Sequence, residues 1–360
     1  MNKISKLMTM AVLIAAVFFF SSCDNESGDV EIPKKTGVLV VNAGNFGSGN
    51  GSVSFYDEEL GVITNNIIKE ANDGAEVGAG IESIYQHDGV GYLVCNAPDK
   101  IEFFSVEDYK YLANPNTNVA QPRYMTVVGN KAYITCWGPW SANFTLEESY
   151  VAIMDLSTKE IVGTLECGVG PEGIFAVGNK LFIANSFENS VTVIDLSSSS
   201  NSKINLEAAP QHFTLDGAGT LWVTLSSNFG VYPEDKVGLQ AINTSTDAKG
   251  SFTKVPGISE DGVLAINSSG EKIYVLTAQP WPGTATEVFE FDANSKMLES
   301  EALITGENFN GIGYNQTTDM LYVADAAGFA GNGQILVYDV DGMVQDDQVT
   351  SIGPFHFMFK

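Results

Sequence analysis

The chain has 360 residues, with 44 Asp and Glu against 18 Lys and Arg and a formal charge of -26 at pH 7. So acidic a chain, with no basic cluster, excludes nucleic acid and anionic membrane surfaces as partners. The length is large for one domain but ordinary for a closed all-β architecture.

Lys3 and Lys6 open a basic start, residues 7–20 form an apolar run short for a membrane span, and Ser21-Ser22-Cys23 follows at once. This reads as a signal peptide over 1–22 with a lipoprotein processing site, Cys23 being the lipidation site. Cleavage would leave 338 residues with a charge of -28. Residues 23–36 then form a polar, acidic tether, DNESGDVEIPKK following Cys23. In some Gram-negative phyla an acidic run after the lipidated Cys resembles the export signal for the outer face of the outer membrane. No later apolar run reaches spanning length, so the lipid is the expected anchor. Cys95, Cys136 and Cys167 lie in strand-like segments and are expected as buried thiols.

From Gly37 onward the chain repeats a two-strand unit. The most regular copy is NKLFIANSFENSVTVID (179–195), two apolar runs around a polar turn. Similar units begin at GVLVVNAG, GYLVCNAP, KAYITCW, TLWVTL, KIYVLT and MLYVAD, seven in all, spaced by about 47 residues on average. Upstream of six units lies a further strand: 80–86, 121–128, 170–177, 209–216, 258–267 and 308–315. The first unit lacks one, and GPFHFMFK at 353–360 supplies the missing pattern. Pro354, His356 and Phe357 match Pro210, His212 and Phe213. The expected fold is therefore all-β, a seven-bladed β-propeller over 37–360 whose ring is closed by the C-terminal strand pairing into the first blade. NKLFIANSFENSVTVIDL resembles the repeat of YVTN-type propellers, a likeness that implies a fold and little chemistry.

One face carries tight polar turns. The other carries long loops holding Phe46, Trp137, Trp140, Phe144, Phe229, Tyr232, Trp281 and Phe329, with Phe187 in a shorter one. Three of four tryptophans lie there, so an aromatic-lined binding pocket at the mouth of the channel is expected, the alternative being a rim that packs only on itself. At the entries of the innermost strands, Arg123, Tyr124, Glu172, Gln211, His212, Glu260, Asp261, Asn308, Phe309, Phe355 and His356 are the candidates for contacts near the axis. His212 and His356 occupy equivalent positions but lack a third ligand, so no metal site is expected. No nucleophile elbow or phosphate-cradling loop appears.

Signal, lipidation site, acidic tether, seven blades and aromatic loop face together resemble the propeller lipoproteins of Bacteroidota that capture cobalamin beside a TonB-dependent transporter. That resemblance implies a non-catalytic, surface-exposed protein that binds cobalamin as cargo, with no cofactor, and docks on the transporter. Alternatives are a lactonase-like hydrolase drawing on Arg123 with Glu172, His212 or Asp261, a glycan- or haem-binding propeller, or a protein scaffold.

Overall fold

The computed structural model describes residues 36–45, 48–77, 79–113, 118–146, 148–279 and 283–360. The signal peptide, Cys23 and most of the tether lie outside them. Seven small antiparallel sheets follow one another along the chain. The fourth is the regular one, Pro171–Val177, Lys180–Asn185, Ser190–Asp195 and Ser200–Asn205, paired in that order. Innermost strands of successive blades touch in cyclic order, which closes the ring. The closing strand is Pro354–Phe359, which pairs antiparallel with Val38–Asn42 and completes a sheet begun at the other end of the chain. The expected seven-bladed ring and its closure are what the structure has.

Each blade is sandwiched between two others, and this explains the strand patterns. Second strands read as continuous apolar runs because both faces are covered; Leu181, Phe182, Ile183 and Ala184 are all fully buried. Alternation decides which core each side chain joins. Val38 and Val40 pack with Tyr56, Tyr322 and Val337 between the seventh and first blades. Leu39 and Val41 pack with Phe55, Ile84 and Leu93 between the first and second. Outer strands such as Ile161–Glu166 have one covered face and alternate half-buried with exposed residues.

Turns between third and fourth strands repeat one device. Asp155, Asp195 and Asn243 each accept hydrogen bonds from backbone N–H groups two and three residues on, and Lys159, Ser199 and Asp247 follow at positive φ. One insertion was not anticipated. The helix Ile67–Ala71 follows the three-residue outer strand of the first blade and buries Ile67, Ile68 and Ala71 against the same core. Cys95 and Cys136 are buried free thiols, and Cys167 is half-buried. Among the described residues no helix is long and apolar enough to cross a membrane.

Candidate functional site

Where the innermost strands begin, the ladders share one irregularity. In the second blade Ile81 pairs with Cys95 and Ser83 with Val94, so Glu82 has no cross-strand partner. In the third, Arg123 and Tyr124 together oppose Thr135; in the fourth, Glu172 and Gly173 oppose Ala184; in the fifth, Gln211 and His212 oppose Thr224. Asn310 and Phe355 are the extra residues of the seventh and first blades. In the sixth the excursion grows: between the Ile258–Thr277 bridge and the Leu264–Val275 pair, residues 259–263 oppose Leu276 alone. A bulge frees one residue from the ladder and re-aims its side chain. Repeated around the ring, it delivers Phe355, Glu82, Arg123, Glu172, Gln211, Asp261 and Asn310 to the lining of one cavity of about 890 Å³.

Threonine hydroxyls hold the bulges of the third and fifth blades. Thr135 Oγ1 accepts from Tyr124 N at 3.0 Å and donates to Glu172 O of the next blade at 2.7 Å. Thr224 Oγ1 repeats the arrangement, accepting from His212 N at 3.1 Å and donating to Gly262 O at 2.8 Å. Adjacent strands approach closely here, and a Cβ on Gly173 would lie 2.4 Å from Gln211 O.

Arg123 is the cation at the centre of one half of the ring. Its Nη1 meets Glu82 at 2.7 Å, while Nε and Nη2 grip Glu172 at 2.9 to 3.1 Å. The guanidinium lies 4.2 Å from the centre of the Trp137 ring, whose Nε1 also donates to Glu172 at 3.1 Å. Asn96 donates to Glu82. Burial pushes the Glu82 carboxyl up to about 7, helped by the charges of Glu172 and Asp261 and opposed by Arg123. Burial, then the charge of Glu172, also raises the Asp261 carboxyl. His212 and His356 are held down to about 4, chiefly by burial, so both rings are neutral. Tyr124 packs edge-on against His212 with centroids 4.5 Å apart.

Trp137, Phe187, Phe229 and Phe329 line the cavity from the loops, Phe229 being 86% exposed. Trp140 stands behind this lining, stacked edge-on against Trp137 and Phe187. Tyr232 is half-buried against the core between the fourth and fifth blades. Phe309 is buried in the core between the sixth and seventh, because alternation turns it there and the following bulge presents Asn310 instead. Phe46 and Trp281 lie outside the described residues. Arg123, Tyr124, Glu172, His212 and Phe355 all line the cavity. Glu82 and Asn310 escape the sequence reading, although their register equivalence to Arg123 and Glu172 was a signal that could have found them. Among the described residues no group of three or more His, Cys, Asp or Glu side chains is placed to hold a metal ion.

A family model described as a domain of unknown function (DUF5074) matches residues 36–355, and the chain belongs to that family. A comparison with curated proteins gave no match. Among solved structures, the chain is similar to a quinonprotein alcohol dehydrogenase-like protein from Bacteroides thetaiotaomicron, at 14% identity and TM-score 0.65, over 90% of this chain and 78% of that one. It is similar also to the periplasmic gluconolactonase of Pseudomonas aeruginosa, at 12% identity and TM-score 0.65, over 90% of this chain and 99% of that one. At such identities the likeness is one of fold.

Proposed function

We propose that this DUF5074 member is a non-catalytic, lipid-anchored surface protein that captures a bulky amphipathic nutrient, cobalamin or a related corrinoid, and delivers it to an outer-membrane TonB-dependent transporter. The observation that carries the reading is the cavity: about 890 Å³, aromatic at its rim and ringed below by amide, carboxylate and guanidinium groups. A corrin is broad, flat and amphipathic and is edged with amides. Aromatic faces suit its ring and the polar floor suits its edge. Haem carries two propionates, which an acid-rich floor disfavours.

Capture rather than chemistry fits the state of the central groups. Glu172 accepts three hydrogen bonds from Arg123 and one from Trp137, which occupies it fully. Glu82 favours the second reading, hydrolysis, since a carboxyl poised near 7 in a cavity suits general acid-base work.

Purified protein mixed with cyanocobalamin at equal micromolar concentration should co-elute as a pink complex from a sizing column. Phe229→Ala should weaken that binding by about tenfold with an unchanged melting temperature, because the ring is almost wholly exposed. No co-elution at micromolar ligand would defeat the corrinoid reading. Gluconolactone hydrolysis abolished by Glu82→Gln would replace it with the hydrolase.

A further inference from the structure

The ring of bulge residues is not uniformly occupied. On its second-to-fourth-blade side, Glu82, Arg123 and Glu172 satisfy one another. Gln211 in the fifth donates to Ser226 at 2.8 Å. In the sixth, Glu260 accepts from Ser227 through Oε1 at 2.6 Å, while its Oε2 is buried without a hydrogen-bond partner. Asp261 has no hydrogen bond or ion pair with any described residue, and neither the Asn310 side-chain amide nor that of Asn228 is hydrogen-bonded, although all three line the cavity.

Asp261 is exposed yet enclosed: its accessible surface opens into the cavity, with protein around it. A solvated surface carboxylate without a partner is ordinary, but one inside a cavity faces three other carboxylates and a lone guanidinium already shared by two of them. Ligand entry strips its water, and an unpaired carboxylate is then costly unless the ligand replaces those bonds.

We infer that Asp261, with Asn310 beside it in the ring, is the specificity determinant of this cavity and selects ligands that present N–H donors or positive charge to it, rejecting those that present a carboxylate or a phosphate monoester there. This rests on the cavity being the binding site, as proposed above, but not on the ligand being a corrinoid. It assigns the sixth and seventh blades as the side that reads the ligand's polar edge, with the aromatic loops holding its body. A phosphorylated sugar lactone is excluded by the same charge.

The test uses the full chain and two probes with the same ring and opposite charge, tryptamine and indole-3-propionate, titrated calorimetrically at pH 8. The amine should bind at least about tenfold tighter than the acid. Asp261→Asn should bring the two within about threefold, and Asn310→Asp should widen the gap. Since Asp261 is unpaired and repelled by Glu172, its Asn variant should melt at or above the wild-type temperature. Equal affinity for the two probes in the wild type, no binding of either up to about 10 mM, or a preference unmoved in both variants would overturn the assignment. Cyanocobalamin that fails to bind while the amine preference and its variants behave as stated sinks the corrinoid reading alone. Cyanocobalamin that binds without any such preference sinks only the role of Asp261.

Discussion

Arg123 shows how a buried charge is kept in this molecule and what it does to its neighbours. Two carboxylates and the Trp137 face replace its water, and those charges hold its pKa above the ordinary arginine value despite burial. The same cation, after burial itself, opposes protonation of His212. An unfolded His takes its proton near pH 6.5, whereas His212 and His356 do so only near 4. Between those values the unfolded chain binds more protons, so the stability these rings leave intact at pH 7 is lost as pH falls from 6.5 toward 4. The loss is roughly 2 to 3 kcal/mol for each ring. Glu82 runs the other way: raised to about 7 from 4.5, it favours the fold below 4.5 and withdraws that contribution as pH rises to 7. Urea denaturation of His212→Gln between pH 7 and 4.5 should therefore show a shallower acid loss than the wild type. An unchanged slope would mean that the ring is not held neutral.

At the scale of the element, the closing strand carries the heaviest structural duty. Pro354–Phe359 forms the inner strand of a sheet whose other members lie some 300 residues earlier, and Phe357 and Met358 fill cores on either side of it. Deleting 353–360 leaves Val38–Asn42 as an unpaired edge and opens two cores. The truncated chain should lose its single cooperative thermal transition, followed by circular dichroism; a wild-type melt would show that closure is dispensable. This strand was legible in the sequence because GPFHFMFK repeats the spacing of APQHFTLD, and the blades because covered second strands must be continuously apolar. The site was legible in residue type and not in register. Glu82 in GIESIYQ looks like any acid on a strand until that segment is aligned with QPRYMTVV and GPEGIFAV, because the bulge that re-aims it leaves no mark in the periodicity of a single strand. Tyr232 was drawn to the site by composition, since an aromatic in a loop can turn to either the rim or a core, and Phe309 by its place at a strand entry, one residue before the bulge. The helix Ile67–Ala71 lies in a five-residue stretch too short for helical periodicity to declare itself.

At the scale of the whole molecule, excess charge is the term that no blade sees alone. A net charge of -26 repels itself in every compact state, and the lysines that do find partners, such as Lys180 with Asp247, are too few to offset 44 acids. The ring tolerates this because a buried core fills the space between neighbouring blades and the two ends of the chain are paired into one sheet. Added salt should then stabilise rather than destabilise. Raising ionic strength from about 10 to 150 mM shortens the screening length from roughly 30 to 8 Å, which removes repulsion between distant surface acids while leaving the buried Arg123 pair nearly untouched. A gain of about 1 kcal/mol would raise the melting temperature by roughly 1 to 2 °C in a chain of this size. If surface ion pairs instead dominated, the same screening would lower it, because exposed pairs weaken with salt. A differential scanning measurement across that range separates the two, and a falling transition would refute the dominance of self-repulsion.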